Sequence, residues 1–362
     1  MSSRRTFVRS LGYLAAFGAV ASCSGASTRT ARPEIARAPA LPRSKPALDP
    51  GPQLDPIVEV PAEAGFFGEA DEALRTSLAN APVASIRKGG GGRSLGFKIT
   101  LEDGTMGYFK PEQTIHFTHW WAELGAYYLD RELGLGRVPP AVGRRFDWGR
   151  LQLYAQTDPR LAEMRPRANG TIRGAFIAWV HEGPTPLPLG NDWEKWVRIE
   201  GPIARTPYVP PTFQARGIVP EARFDAPDVP DDSRRPAELS DLLVFDYLIQ
   251  NADRWGTENA NVRTRGRGGP LMFFDNGAGF WPTEQRMPIM ERRLTEIQRF
   301  RRSTVDALRR FDVAHFRERI AKDPLAPILD DVMIGGLEER IGVVVAHVDA
   351  MNARFGEAIW IG

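Results

Sequence analysis

The chain has 362 residues, 42% of them hydrophobic and 25% charged, which is the balance of a globular protein with one large or two modest domains. Its formal net charge of +2 is nearly neutral, so the composition argues against a general nucleic-acid binder. The sequence contains one cysteine, Cys23, which excludes a disulfide within the chain.

Residues 1–23 have the pattern of an export signal. The paired arginines Arg4 and Arg5 precede a short apolar run, 11–21, and small residues lead up to Cys23. This pattern predicts the twin-arginine signal peptide of a bacterial lipoprotein, with Cys23 as the lipid-bearing residue. An inert cysteine after a plain signal sequence is the alternative. We therefore expect an exported envelope or extracellular protein held on a membrane by an N-terminal lipid.

Residues 24–63 are predicted to be a disordered tether. The segment contains eight prolines, with alanine, arginine and serine between them. Such a composition cannot bury a core and favours extended conformations. The folded part is therefore expected to occupy 64–362.

The first predicted elements are a short helix over 69–79 and a hairpin. Apolar residues alternate through 95–101, Asp103 and Gly104 give a turn signal, and 106–110 form the return strand. Another prominent feature is the glycine run that precedes this hairpin: Gly89, Gly90, Gly91 and Gly92. Backbone N–H groups without side chains can approach phosphate closely, so the run predicts a phosphate-covering loop, with a plain surface loop as the alternative.

A helix is predicted over 119–133, directly after this hairpin. Its buried stripe has three members: Trp121, Leu124 and Tyr128. Glu123 lies beside the stripe, where its carboxylate is expected to pair with Lys110 at the end of the return strand. A solvated strand-end lysine is the alternative for Lys110. Asp130 and Glu132 are interpreted as surface charges.

The middle of the chain is predicted to complete the sheet and then to leave it. Strand-like patterns cover 151–156 and 175–180, and a break at 181–184 is typical of a hinge. The insertion 201–238 is rich in proline, arginine and aspartate and is long for a loop without structure of its own. Such loops are usually functional lids or disordered, and we interpret this one as a surface excursion near the site that helps to guide the acceptor.

Two aspartates flank a predicted hairpin in the last third of the chain. A helix over 241–250 leads into a polar loop with Asp253, and two short strands, 261–264 and 271–274, run into Asp275. Kinase folds place one aspartate at the acceptor hydroxyl and a second aspartate, with an asparagine, on the metal ions. Helices over 287–311, 325–333 and 337–355 are predicted to close the fold.

Five stretches of the chain, between about 95 and 308, resemble the secretory-pathway kinases of the Golgi casein kinase and four-jointed type. They are YFKPEQ, WAELGAYYLDRELGLGRVPPAVGRRF, LLVFDYLIQNADRW, FFDNGAGF and RFRRSTVDAL. The resemblance implies an α+β, two-lobed protein-kinase-like fold. Its small β-rich N-lobe and hinge would occupy 64–185. Its mostly helical C-lobe, with the insertion, would occupy 186–362.

The resemblance also assigns roles to four charged residues. Lys110 would bind phosphate, with Glu123 as its partner. Asp253 would be the catalytic aspartate, and Asp275 would bind the metal. ATP and manganese or magnesium are the implied cofactors, and the hydroxyl of a protein or a glycan is the implied acceptor.

The remaining positions implied by the resemblance are less regular. The metal-binding asparagine falls on Asn259, which has the better spacing from the catalytic aspartate, or on Asn261, which directly precedes the strand. A second helix carboxylate of the family falls on Thr118. Adenine would pack near Trp179 and Glu182, although a plain strand-to-loop turn there is the alternative. A pseudokinase that keeps the fold and serves as an envelope binding lipoprotein is the alternative function.

The insertion generates one prediction of its own. Deleting 207–231 should lower turnover of the acceptor, because a lid near the site would help to guide it. Steady-state rates of the deletion variant against the intact chain test this, and unchanged acceptor turnover would contradict the lid.

Overall fold

A computed structural model describes residues 65–90, 92–114, 118–187, 196–200, 234–254, 261–281 and 287–361. All of them lie in one compact unit, Leu48–Gly362. The predicted signal peptide, the tether, Asn259 and most of the insertion lie outside these ranges. Within the described ranges, no helix has the length and apolar character needed to cross a membrane.

The first lobe is built on one antiparallel sheet of five strands in the order β1-β2-β3-β5-β4. The strands are β1 Val83–Lys88, β2 Phe97–Leu101, β3 Met106–Pro111, β4 Ala141–Asp147 and β5 Thr171–Ala178. Strand β2 alternates as its sequence predicts, with Phe97, Ile99 and Leu101 all buried. These side chains form the core of this lobe together with Phe109, Phe176 and their neighbours.

Two strands and one helix of this lobe differ from the sequence-based assignment. The structure adds β1 and β4, and it contradicts the strand predicted over 151–156. That region contains instead a short helix, α3 Trp148–Gln152. The Asp147 side chain accepts a hydrogen bond from the Arg150 N–H at 2.5 Å, and this N-terminal cap favours helix over strand.

Helix α2, Trp120–Glu132, packs between the sheet and the second lobe and is buried on almost every side. Asp130, predicted to be a surface charge, is fully buried, so that prediction was wrong. Its carboxylate accepts from the N–H groups of Arg137 and Val138 at 2.9 and 3.1 Å and pairs with Arg131. The buried aspartate therefore fixes the loop that leads from α2 to β4.

The second lobe is mostly helical, as predicted. Its helices are α4 Arg234–Ile249, α5 Met287–Glu296, α6 Arg302–Arg309, α7 Val313–Ile320 and α8 Asp331–Phe355. A small antiparallel sheet joins β6 Pro184–Pro186, β7 Arg263–Arg265 and β8 Leu271–Met272. Residues 325–330 are not helical, and α8 begins at Asp331 because Asp330 caps it through the Met333 N–H.

The short helix α1, Glu72–Asn80, precedes the sheet and anchors α2 from the outside. Arg75 on α1 donates to the Tyr128 hydroxyl at 2.7 Å, and that hydroxyl lies 3.3 Å from Asp323 in the second lobe. Arg131 on α2 reaches Asp71 at 2.5 Å. Helix α2 is thus joined by hydrogen bonds to α1, to Asp71 just before α1, and to the second lobe.

Close packing of the sheet gives a stability prediction. A Cβ atom on Gly107 would lie 2.4 Å from Phe176 Cε2 and 2.9 Å from the Ile177 carbonyl oxygen. Gly107→Ala should therefore lower the free energy of unfolding by about 1–3 kcal/mol, as overpacked cores do. Gly335→Ala on α8 is the matched control, since nothing lies within 4 Å of the added atom. The control should stabilise the helix by roughly 0.5–1 kcal/mol. Urea unfolding measures both, and equal effects would contradict the packing argument.

Candidate functional site

Lys110, at the end of β3, is held between two carboxylates. Its Nζ atom lies 2.5 Å from Glu123 Oε1 on α2 and 2.5 Å from Asp275 Oδ1 after β8. The Glu123 side chain is only 4% exposed, whereas that of Asp275 is 40% exposed. The pairing of Lys110 with Glu123 that the sequence predicts is therefore present, and Asp275 joins it from the other lobe.

The contacts shift the pKa values of Lys110 and Asp275. Burial lowers the pKa of Lys110, but the carboxylates of Asp275 and Glu123 outweigh burial and raise this pKa above its ordinary value. The Lys110 charge lowers the pKa of Asp275 despite the opposing effect of burial. Lys110 and Asp275 consequently remain charged through the neutral pH range.

Asp275 has an uncommon backbone conformation, with a positive φ of 60°. Non-glycine residues adopt this region at a cost of about 1–3 kcal/mol, so neighbouring contacts must hold it. The Asn276 N–H donates to Glu123 Oε2 at 3.2 Å, and Asn251 Nδ2 donates to the Asp275 carbonyl oxygen at 3.3 Å. The His119 N–H donates to the Gly277 carbonyl oxygen at 2.7 Å. The residues around Asp275 are thus fixed to α2 and to the end of α4.

Asp253 lies in the loop after α4, where its side chain is exposed. Its own N–H donates to Asn251 Oδ1 at 3.2 Å. Because the other end of the Asn251 amide contacts Asp275, this buried asparagine connects the two aspartate segments. Sequence reasoning missed Asn251, although a polar residue directly after the apolar helix was a signal for it.

Arg254 is a second residue that sequence reasoning missed. It is completely buried, and its Nε atom lies 2.8 and 2.9 Å from the two carboxylate oxygens of Asp246 on α4. Its other nitrogens donate to the Phe274 carbonyl oxygen and, at 2.5 Å, to Asn276 Oδ1. The available signal was Asp246, a carboxylate inside the apolar run LLVFDYLI that needs a buried partner.

The glycine run has more than one structural role. A Cβ atom on Gly89 would lie 2.3 Å from the Tyr108 hydroxyl oxygen, so this glycine lets the loop lie against β3. Gly92 has a positive φ of 80°, whereas Gly90 is in open space. Arg160 donates to the carbonyl oxygens of Gly92 and Ser94 at 2.9 and 3.1 Å, which ties the loop to the segment between β4 and β5. Gly91 lies outside the described residues.

Trp179 and Glu182 lie at the junction of the lobes, where the sequence places a hinge. The Trp179 N–H donates to the Met106 carbonyl oxygen at 3.0 Å and so is not free to read a base. The Trp179 ring faces the ammonium of Lys98 at 3.7 Å. Glu182 pairs with Arg265 on β7 at 2.8 Å. A base bound here would have to use other backbone groups of the hinge.

The donor set of this site suits a divalent ion that is shared with a phosphate ligand. No three His, Cys, Asp or Glu side chains converge as a metal cluster within the part of the chain that the structure describes. Magnesium-type sites need only one or two carboxylates when substrate phosphates complete the coordination. Both oxygens of the buried Glu123 are used by Lys110 and Asn276, whereas Asp275 is half-exposed and meets Lys110 through Oδ1, so Asp275 is the more accessible of these two carboxylates. Asn261 is partly exposed nearby in the chain, before β7.

Comparison with protein families gives a match over residues 226–357 to the family described as Golgi casein kinase, C-terminal, Fam20. The glycosaminoglycan xylosylkinase of Danio rerio is 26% identical over 76% of this chain and 74% of its own length. The human extracellular serine/threonine protein kinase FAM20C is 23% identical over 77% of this chain and 54% of its own. The mouse pseudokinase FAM20A is 23% identical over 67% of this chain and 49% of its own. The chain is therefore similar to proteins of the Fam20 type.

Solved structures agree on the fold. The Golgi casein kinase with Mn/ADP bound aligns with a TM-score of 0.59 and 18% identity, over 82% of this chain and 80% of that one. The hydra Fam20 with sugar aligns with a TM-score of 0.58 and 20% identity, over 80% of this chain and 91% of that one. The two-lobed, kinase-like α+β fold predicted from the sequence is therefore confirmed.

The charge triad gives a testable pH dependence. Lys110→Met should lower the free energy of unfolding by about 3–5 kcal/mol at pH 7, because it leaves the buried Glu123 carboxylate unpaired. The loss should shrink as pH falls towards 5, since burial without a counter-charge favours the neutral form of a carboxyl group and protonation then removes the unpaired charge. Urea unfolding at pH 7 and pH 5 measures this effect.

Lys88→Met is the matched control for that measurement. Lys88 also pairs with a carboxylate, Asp158, at 3.1 Å, but the lysine is 39% exposed and Arg160 contacts the same carboxylate. The control should change stability by less than about 1 kcal/mol at either pH. A pH-independent loss in Lys110→Met would contradict the charge argument.

Proposed function

We propose that the chain is an atypical kinase of the Fam20 type, which transfers a phosphoryl group from ATP to a hydroxyl of a secreted or envelope protein or glycan. The observation that carries this proposal is the placement of Lys110 between Glu123 and Asp275, with Asn251 connecting the Asp275 segment to Asp253. A buried ion pair is seldom a gain over apolar packing of the same volume, so stability alone is a weak reason for these charges at the boundary between two lobes. Phosphoryl transfer, in contrast, depends almost entirely on such positioned charges.

The residues divide the chemistry as follows. The exposed carboxylate of Asp253 accepts a hydrogen bond from the acceptor hydroxyl and takes its proton as the new oxygen–phosphorus bond forms. The bond between the γ-phosphorus and the bridging oxygen breaks, and ADP leaves with that oxygen. Lys110 neutralises charge on the phosphates of the nucleotide, and the loop with Gly89, Gly90 and Gly92 covers them.

Asp275 is the carboxylate that would hold a divalent ion, manganese or magnesium. The ion supplies charge neutralisation on the phosphates when it is bound. Asn259 or Asn261 would assist from the polar loop. With a divalent ion on Asp275, Lys110 would keep Glu123 as a partner, and this contact would hold the lysine in place.

The relatives support an exported setting and a hydroxyl acceptor. One is named a glycosaminoglycan xylosylkinase and another an extracellular serine/threonine protein kinase. Accordingly, a protein serine or threonine and a sugar hydroxyl are the acceptor classes that we propose. Membrane attachment through a lipid on Cys23 is proposed from the sequence pattern around that residue.

A pseudokinase is the second candidate function. The similarity to the mouse pseudokinase FAM20A favours it, because related chains with this fold include one named as inactive. In that case the cleft would bind nucleotide or a protein partner without phosphoryl transfer, and the chain would act as an envelope binding lipoprotein.

Metal-dependent nucleotide binding and turnover separate the two candidates. The purified chain should bind ATP only with manganese or magnesium and should turn it over. Asp253→Asn should keep nucleotide binding and lower turnover by about 10²–10⁴-fold, the usual contribution of a general base. Asp275→Asn should lose metal-dependent binding as well.

Each outcome of this experiment has one meaning. Binding without turnover in the wild-type chain supports the pseudokinase. An absence of metal-dependent nucleotide binding in the wild-type chain rejects the kinase and leaves only a pseudokinase that binds a protein partner. Asp306→Asn, which replaces an aspartate on α6, is the control and should behave as wild type.

A further inference from the structure

We propose that Arg254 is a positioning residue that sets the geometry between the Asp253 and Asp275 segments. Its effect on catalysis rests on the function proposed above, whereas its effect on the resting structure does not. The inference begins from its place in the chain. Arg254 directly follows Asp253, and its side chain contacts the residues immediately before and after Asp275: Phe274 and Asn276.

The first step is the cost of burying this cation. Arg254 has no exposed surface, and Asp246, its charge partner, is also fully buried. A buried ion pair is seldom a gain over apolar packing of the same volume, and it is strongly destabilising when one partner is lost. Stability alone is therefore a weak explanation for the pair, and the geometry of the planar Arg254 guanidinium, with its forked nitrogens, gives a stronger one.

The second step is the geometry of the guanidinium. Its Nε atom is held by both oxygens of Asp246 at 2.8 and 2.9 Å, which fixes the plane of the group relative to α4. The two terminal nitrogens then meet the Phe274 carbonyl oxygen and Asn276 Oδ1. A rigid planar fork can hold two acceptors at a set separation, whereas a lysine presents a single point charge.

The third step concerns the residue that the fork encloses. Asp275 has φ of 60°, so its peptide must be held in a conformation that it would otherwise leave. Arg254 holds the carbonyl on one side, and Asn276 is held on the other side through both its side chain and its N–H. Any rotation of this segment would move the Asp275 carboxylate away from Lys110.

The test compares two variants that break the fork with a control on the same helix. Arg254→Lys keeps the charge beside Asp246 but cannot reach both acceptors in one plane. Asp246→Asn keeps the arginine and loosens the plane. Asp241→Asn is the matched control, because Asp241 is a buried carboxylate on α4 whose contacts lie outside the site. It pairs with Arg301, just before α6, at 2.7 Å and accepts from Thr304 on α6.

Hydrogen exchange in the nucleotide-free, full-length chain is the first readout. We expect exchange of the Asn276 N–H and of the neighbouring residues 274–277 to accelerate at least tenfold in Arg254→Lys and Asp246→Asn. In the control it should stay within twofold of wild type, even where the thermal midpoint falls by a similar amount. Exchange within twofold of wild type in both site variants would overturn the proposal.

Manganese binding and kinetics form the second readout. The affinity for Mn²⁺ in the presence of ATP, followed by electron paramagnetic resonance, should fall at least tenfold in the site variants and less than twofold in the control. Likewise kcat should fall at least tenfold, while KM for the acceptor changes less than threefold. Unchanged Mn²⁺ affinity and kcat in a folded site variant would also overturn the proposal.

Two other experimental outcomes also bear on the proposal. Should both site variants fail to fold, Asn276→Ala removes one acceptor of the fork, keeps the Arg254–Asp246 pair, and is judged by the same exchange criterion. If the wild-type chain binds no metal–nucleotide complex, the proposed function fails. The exchange measurement on the nucleotide-free chain then still decides whether Arg254 positions the Asp275 segment.

Discussion

The contact on which the candidate site depends is that of Lys110 with two carboxylates that come from different parts of the fold. Strand β3 supplies the lysine, α2 supplies Glu123, and the segment after β8 supplies Asp275. A lysine buried here without them would be expected to lose its charge, because burial alone lowers its pKa. The charged lysine is therefore stable here only when the three elements are packed together. The same three side chains thus contribute to correct folding and form the candidate active site.

A second network, made of hydrogen bonds, also joins separate segments of the chain at the site. Asn251 and Arg254 join the end of α4 to both neighbours of Asp275 and to Asp275 itself. Removing a polar side chain from this network leaves its buried partners with fewer hydrogen bonds, which is costly in an apolar lobe. The two networks meet at Asn276, whose side chain contacts Arg254 and whose N–H contacts Glu123. The site is consequently one connected structure and not a set of separately placed side chains.

The parts of this structure that were predictable from sequence are those specified by local pattern. The β2–β3 hairpin follows from alternation and a two-residue turn signal, and α2 follows from its helical periodicity. The resemblance of short motifs then identified Lys110 and Asp275. Strand β1 was missed because it lies at the edge of the sheet and buries only Ile86. Asp130 was predicted to lie on the surface, and Arg254 was missed. A charged residue is normally exposed, and the contacts that bury these two lie in other segments of the chain.

The C-terminal half of α2 is held by Arg75 on α1, by Asp71 just before α1 and by Asp323 from the second lobe. In protein kinases the corresponding helix is a point of control, because its position decides whether the lysine–glutamate pair forms. In this chain the pair is part of the resting structure and the helix is fastened to both lobes by the chain's own side chains. These hydrogen bonds hold α2 in the position in which Glu123 meets Lys110. On the proposed function, nucleotide would meet a lysine–glutamate pair that is already formed, without a prior movement of α2.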